Sequence, residues 1–129
     1  MLNIIYCEDN PGDVLLTEEM LKDLNLKYNM VVLDDGEKAT NYITENKSDL
    51  SRTSNTLVLL DVNLPKLDGH KILHHIRKTN ELFNLKVLMV SSSKYENKNL
   101  LPDCFVQGFY EKPLQDKVFL DFVLKHFSF

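Results

Sequence analysis

Carboxylates and a lysine directly follow three short apolar segments of the chain. Glu8 and Asp9 follow the first segment, Asp61 follows another, and Lys112 lies just after the last. Carboxylates about 4 Å apart repel each other by about 4 kcal/mol at an effective dielectric constant of about 20. A proton or a divalent cation must offset that repulsion, and Mg²⁺ prefers such hard oxygen ligands and often binds beside phosphate. If the fold brings these side chains together, they predict a site for Mg²⁺ and a phosphoryl group.

Such a site would support phosphoryl transfer. A carboxylate beside Mg²⁺ can attack phosphorus as a nucleophile and form an aspartyl phosphate. The cation and a lysine would then stabilise the charge on the transferred group. A hydroxyl would add a hydrogen-bond donor. Ser91 comes first after the apolar run at 87–90 and is the preferred candidate, with Ser92 as the second.

The order of the secondary-structure elements explains how these distant residues could meet. Short apolar runs alternate with helical patterns five times, which predicts an α/β fold with a parallel sheet, right-handed crossovers and helices on both faces. Ligands bind just outside the carboxyl ends of the strands in such open sheets. The expected strands lie near 3–8, 28–33, 57–61, 85–90 and 107–111. The expected helices lie near 11–25, 36–46, 69–79, 94–102 and 114–127.

Local signals place the first helix and the longest connector. Asn10 can cap the helix, Pro11 suits its first position, and Asp13 is favoured there by the helix dipole. Apolar residues at three- to four-residue spacing predict its buried face: Leu16, Met20, Leu21 and Leu24. The polar segment 46–55 is expected to be a mobile loop.

Size and composition narrow the class of protein. With 129 residues and a hydrophobic share of 43%, the chain is expected to form one domain with a real core. A net charge of −4 and an isoelectric point near 5.5 argue against nonspecific binding to nucleic acid or an anionic membrane. No apolar stretch approaches the ~20 residues needed to span a bilayer, and no signal-peptide pattern occurs. We therefore expect a cytoplasmic protein in which Cys7 and Cys104 are reduced packing residues.

These features together resemble the receiver domain of two-component response regulators over essentially the whole chain. The residues that carry the resemblance occur in the family's order: Glu8, Asp9, Asp61, Pro65, Gly69, Ser91, Lys112 and Pro113. The run 8–13 is also similar to single-domain regulators that accompany phytochrome-type kinases. The resemblance implies a flavodoxin-like doubly wound (βα)5 fold with strand order 2-1-3-4-5. It also implies a single receiver domain over 1–129 without an output domain, and a cis bond before Pro113.

The resemblance implies a role for each site residue. Asp61 would accept a phosphoryl group from a sensor histidine kinase or a phosphotransfer protein. Asp9 and Asp61 would bind Mg²⁺ directly, Glu8 mainly through water, and Asn63 through its backbone carbonyl. Ser91 and Lys112 would contact the phosphoryl oxygens.

The resemblance also implies a phosphorylation switch that acts through protein–protein contacts with a downstream protein. Phe109, three residues before Lys112, matches the family's aromatic switch position and would turn inward when Ser91 moves. The protein would catalyse only its own phosphoryl transfer and autodephosphorylation. A homodimer is a further hypothesis, because aromatic residues near the C-terminus could form an exposed patch: Phe119, Phe122, Phe127 and Phe129.

Other functions have less support in the sequence. A receiver-like scaffold that is never phosphorylated would not need the complete site. An aspartyl-phosphate phosphatase usually carries a second carboxylate two residues after its nucleophile, where this chain has Asn63. A flavodoxin-type flavin module would place its phosphate after the first strand, where Glu8 and Asp9 would repel it. His70 and His74 have a spacing that some zinc sites use, but solvent exposure is the favoured prediction for both.

Overall fold

The computed structural model of the protein describes residues 1–92 and 104–128, so the predicted helix 94–102 and Phe129 lie outside the described residues. Five parallel strands form one sheet in the order β2-β1-β3-β4-β5, which confirms the predicted fold class and strand order. The strands are β1 (Leu2–Cys7), β2 (Tyr28–Leu33), β3 (Thr56–Asp61), β4 (Lys86–Ser91) and β5 (Gly108–Glu111).

Helices cover both faces of the sheet. They are α1 (Pro11–Asp23), α2 (Gly36–Glu45), α3 (Lys47–Arg52), α4 (Gly69–Lys78) and α5 (Asp116–His126), with a 3₁₀ turn at Asn80–Leu82. Buried side chains of α1 and α5 pack on one face of the sheet, and those of α2 and α4 pack on the other. None of the helices in the described ranges is long and apolar enough to span a bilayer.

The strand register brings the predicted site residues to one edge of the sheet. Cys7 is paired with Leu60, so Glu8 leaves β1 beside Asp61 at the end of β3. Ser91 is paired with Glu111 in the same way, so Lys112 leaves β5 beside the end of β4. All six residues of β3 are buried, as expected of a central strand covered on both faces.

Helix α1 begins as predicted, but its buried face differs by one position. The Asn10 side chain accepts hydrogen bonds from the amides of Gly12, at 2.8 Å, and Asp13, at 3.3 Å. Leu16, predicted to be in the core, is 58% exposed, while Thr17 is buried. Thr17 can be buried because its hydroxyl lies 3.1 Å from the Tyr6 hydroxyl, which satisfies both polar groups.

The expectation of a loop over 46–55 is wrong for its first half. Residues Lys47–Arg52 form the short helix α3. Leu50, a lone apolar residue in a polar segment, is partly buried and packs against the core, and its amide donates to the carbonyl of Asn46 at 2.9 Å. Burial of this one side chain explains why the segment is ordered as a helix despite its polar composition.

Phe119, Phe122 and Phe127 are core residues, so they offer no exposed aromatic patch, and the homodimer stays a prediction. The thiols of Cys7 and Cys104 are both buried. His74 is exposed, but the prediction of exposure is wrong for His70.

His70 lies at the tightly packed start of α4. The preceding Gly69 approaches the backbone of Asp61 so closely that an added Cβ would lie 2.5 Å from its carbonyl oxygen. The next residue, His70, is half-buried, and both of its ring nitrogens are buried without a hydrogen-bond partner among the described residues.

The loop that follows Asp61 is held by the start of α2. The Gly36 amide donates to the carbonyl of Pro65 at 3.0 Å, and Lys66 in the same loop adopts a φ of 69°. A Cβ on Gly36 would overlap the carbonyl group of Leu67. A glycine at 36 therefore allows α2 and this loop to approach each other.

We expect Gly36→Ala to lower the free energy of unfolding by about 1–3 kcal/mol, because the added methyl must displace the loop. Urea unfolding followed by circular dichroism would measure it. Gly12→Ala is the control, since its Cβ would meet a single side-chain atom, Asn10 Oδ1, at 3.1 Å and no backbone. Equal losses in the two variants would contradict the packing explanation.

Candidate functional site

Three carboxylates converge at the carboxyl ends of β1 and β3. Glu8, Asp9 and Asp61 each offer an oxygen, and these oxygens all lie within 4.8 Å of one another. Glu8 and Asp61 are 1% and 3% exposed, whereas Asp9 is open to solvent. Two buried acids and one exposed acid form a set of hard oxygen donors that could hold a divalent cation and leave room for its waters.

The ammonium group of Lys112 lies inside this acidic cluster. Its Nζ is 2.7 Å from Glu8 Oε1 and 3.0 Å from Asp61 Oδ2. A third carboxylate oxygen, Asp13 Oδ2, lies at 2.9 Å. An ammonium has three N–H donors, so each of them has a charged acceptor.

Backbone groups orient the acids and the lysine. Glu8 Oε2 accepts hydrogen bonds from the amides of Asp9 and Asn10, at 3.1 and 3.2 Å. Asp61 Oδ1 accepts from the amide of Asn63 at 3.1 Å. The Lys112 amide donates to the Ser91 carbonyl at 2.7 Å, which fixes the start of the lysine side chain next to β4. The reactive groups are therefore held in place before any ligand binds.

The electrostatic balance of the site favours an added cation. The pKa of Glu8 is raised to about 7: burial is the largest cause and the neighbouring Asp61 adds to it, while Lys112 opposes the change. Burial disfavours the charged form of Lys112, but hydrogen bonds to its three carboxylates outweigh burial and raise its pKa above the ordinary value. Four carboxylates around one ammonium leave an excess of negative charge, which a divalent cation can offset.

The raised pKa of Glu8 predicts a pH dependence for the metal-free protein. Its pKa is about 7 in the folded protein against a reference of 4.5, so the folded state holds the proton more tightly between these values. The associated stability is fully present below pH 4.5 and is lost as pH rises through 7. Urea unfolding in chelator at pH 5 and pH 8 should show this loss, and Glu8→Gln should reduce it. An equal pH dependence in both proteins would contradict the assignment to Glu8.

The other predicted site residues lie on neighbouring elements. Ser91 is fully buried at the end of β4, and Asn63 is exposed in the loop after β3. Phe109 is half-buried on β5 and packs against the core on the α2 and α4 side. The peptide bond between Lys112 and Pro113 is cis. The structure thus brings Glu8, Asp9, Asp61 and Lys112 into one cluster.

Asp13 is the site residue that sequence reasoning missed. It was expected only to interact with the dipole of α1, yet its carboxylate contacts Lys112. The available sequence signal is its position four residues after Asp9. Helix α1 begins a few residues after the end of β1, so the first turn of α1 lies near the site.

A pocket of about 240 Å³ lies beside Asp13 and Lys112. The exposed Leu16 and the half-buried Leu114 help to line it.

Comparison with known proteins identifies the family. The family described as "Response regulator receiver domain" matches residues 4–124. Response regulator Rcp1 of Synechocystis sp. is 30% identical over 94 residues, which are 73% of this chain and 64% of Rcp1. The probable methanogenesis regulatory protein FilR2 of Methanothrix harundinacea is 30% identical over 90 residues, 70% of this chain and 57% of FilR2. The matches thus span less than two thirds of the length of either relative.

Solved structures show the same fold. The bacteriophytochrome response regulator AtBRR has a TM-score of 0.82 and 30% sequence identity, with 100% of this chain and 96% of AtBRR covered. The Mn²⁺-bound form of Rcp1 has a TM-score of 0.73 and 25% identity, with coverage of 95% and 89%. With the family match over 4–124, these findings establish that the chain belongs to the response regulator receiver domain family of two-component signalling.

Proposed function

We propose that the protein is a phosphorylation-dependent signalling switch that accepts a phosphoryl group on Asp61 from a histidine kinase or a phosphotransfer protein. One observation carries the proposal: the Lys112 ammonium lies 3.0 Å from Asp61 Oδ2, within a cluster of three acids. This contact supports the proposal, because a carboxylate that could act as a nucleophile, a cationic donor and potential metal ligands lie together. Membership of the receiver family supports the same function.

The acidic cluster fits Mg²⁺ as the cofactor. Asp9 and Asp61 would bind the cation directly, Glu8 through water, and Asn63 through its backbone carbonyl. The close approach of three carboxylates and their excess negative charge support this fit. The Mn²⁺-bound structure of the related Rcp1 is consistent with a divalent ion in such a site. When bound, Mg²⁺ would offset the negative charge of the phosphoryl oxygens.

The residues of the chain would carry out the transfer as follows. An oxygen of Asp61 attacks the phosphorus of a phosphohistidine, the new O–P bond forms, and the N–P bond to the imidazole breaks. The leaving imidazole nitrogen takes up a proton. Lys112 donates a hydrogen bond to a phosphoryl oxygen, and the buried Ser91 hydroxyl donates another. Hydrolysis of the acyl phosphate by water later returns Asp61 to its carboxylate form.

The phosphoryl group would then shift the protein between two states. Movement of Ser91 toward the phosphate would leave space into which the half-buried Phe109 turns, and this would change the surface around β5 and α5. A downstream protein would bind the changed surface. The half-buried position of Phe109 on β5, next to β4, supports the proposal.

The phosphodonor would approach across α1. Leu16 on this helix is 58% exposed and lines the pocket beside Lys112, and the adjacent Leu15 is 56% exposed. Exposed apolar side chains beside a reactive group are typical of a surface that a partner covers. A donor helix packed there would bring its phosphohistidine to Asp61.

Incubation with Mg²⁺ and a small phosphodonor, followed by intact mass spectrometry, tests the function. We expect a mass gain of one phosphoryl group with Mg²⁺ and a rate lower by about a hundredfold in chelator. Continuous release of phosphate without a mass gain would indicate the phosphatase instead. No mass gain and no release under either condition would indicate the unphosphorylated scaffold.

A further inference from the structure

Asp13 is a fourth carboxylate at the site with a geometry unlike that of the other three. Its Oδ2 lies 2.9 Å from Lys112 Nζ, yet within the described residues the acids whose oxygens converge for a metal are Glu8, Asp9 and Asp61. Its side chain is 33% exposed, against 0% for Glu8 and 4% for Asp61. Asp13 therefore contacts the lysine without belonging to the metal cluster.

The turn that begins α1 fixes Asp13 and Glu8 together. The Asp13 amide donates to Asn10 Oδ1 at 3.3 Å, and the Asn10 amide donates to Glu8 Oε2 at 3.2 Å. Glu8 and Asp13, which both contact Lys112, are thus linked through the same short turn. This arrangement fixes the backbone of Asp13 relative to the site, and its carboxylate reaches Lys112 from there.

A bound divalent cation and the lysine would share the same carboxylates. Lys112 now contacts Glu8 and Asp61, which are the two buried acids of the metal cluster. When a cation takes these carboxylates, its charge also repels the ammonium, which then needs another acceptor. Asp13 provides one, because its carboxylate can keep the ammonium without being part of the metal cluster.

We infer that Asp13 is a positioning residue for Lys112. Its carboxylate attracts the ammonium toward α1, so that the carboxylates of Glu8 and Asp61 are available to bind a cation. One N–H of the lysine then stays directed at the place where the phosphoryl group arrives. This inference rests on the metal binding of the proposed function. It assigns Asp13 a role in the site in addition to its place in the first turn of α1.

A double-mutant cycle on Mg²⁺ binding tests the inference by isothermal titration calorimetry. We expect Asp13→Asn to weaken Mg²⁺ binding by roughly three- to tenfold, because the freed ammonium competes for Glu8 and Asp61. In the Lys112→Met background, the same substitution should change the affinity by less than about twofold, since no ammonium is left to compete. The matched control is Asp116→Asn, which removes an exposed acid from the first turn of α5.

Each outcome decides a separate point. An equal loss of affinity in both backgrounds would show that Asp13 acts only as a nearby negative charge, and the inference would be wrong while the metal site stands. A wild-type protein that binds no Mg²⁺ would overturn the metal site and the role of Asp13 together. If Lys112→Met does not fold, Lys112→Gln replaces it in the cycle, since its amide can still hydrogen-bond to the carboxylates.

Discussion

The variant Asp61→Asn is expected to fold and to accept no phosphoryl group from a small phosphodonor. An amide is not a nucleophile toward phosphorus, so the rate should fall by about a thousandfold or more. The substitution keeps the size of the side chain, and its amide oxygen can still accept from the Asn63 amide. Intact mass spectrometry after incubation with Mg²⁺ and the donor measures the result.

The folding of Asp61→Asn provides an internal check on this result. The wild-type carboxylate is buried and lies close to two other acids, so its removal relieves repulsion in the metal-free protein. We expect the variant to unfold at the same or a higher urea concentration than the wild type. Asp121→Asn, on the exposed side of α5, is the control and should be phosphorylated at the wild-type rate. Phosphorylation of Asp61→Asn at that rate would contradict the assignment.

The variant Lys112→Met is expected to lose both stability and phosphoryl transfer. Removing the ammonium leaves the buried carboxylates of Glu8 and Asp61 without their cationic partner, which should lower the free energy of unfolding by about 3 kcal/mol without metal. The loss of a donor to the phosphoryl group should slow phosphorylation by about a hundredfold. Urea unfolding and the rate of mass gain measure the two effects.

Magnesium separates the two effects of Lys112→Met. A cation that binds the folded protein and not the unfolded chain stabilises it, so excess Mg²⁺ should restore much of the lost stability but not the rate. Lys38→Met is the matched control, because Lys38 pairs with Asp34 on the surface, where both side chains are about 60% exposed. That control should change stability by less than about 0.5 kcal/mol. Equal destabilisation in the two variants would contradict the buried ion-pair network.

The sheet and most of the site were predictable because their signals are local. β3 is buried along its whole length, and such a strand appears in sequence as a continuous apolar run that ends at Asp61. Carboxyl ends of parallel strands share one edge of a sheet, so the positions of Glu8 and Lys112 followed from the ends of β1 and β5.

The features that sequence reasoning missed depend on tertiary contacts. Leu16 and Thr17 are adjacent in α1, and which of them is buried depends on a hydroxyl of Tyr6 that belongs to another element. The helix α3 depends on the packing of Leu50 against the core. Neither contact produces a periodic pattern in the sequence. The apolar pattern alone therefore predicts a buried Leu16 and a loop where α3 forms, and both predictions are wrong.

The contact between Asp13 and Lys112 was hidden for a similar reason. The two residues are 99 positions apart, and their distance depends on how α1 leaves β1 and on where the segment after β5 runs. A first-turn acid in a helix has an ordinary explanation in the helix dipole, which conceals its second contact. A site residue of this kind is identified only once the positions of the strand ends and of the helix starts in the fold are both known.

The most direct test of the central claim is to locate the phosphoryl group. Hydride reduction converts an aspartyl phosphate into homoserine, and peptide mass spectrometry then identifies the modified position. The proposed function predicts homoserine at position 61 after incubation with Mg²⁺ and a phosphodonor, and far less homoserine after the same time in chelator. Homoserine at another aspartate, the corresponding five-carbon amino alcohol at a glutamate, or a phosphoryl group on a histidine or serine with Asp61 intact, would contradict it.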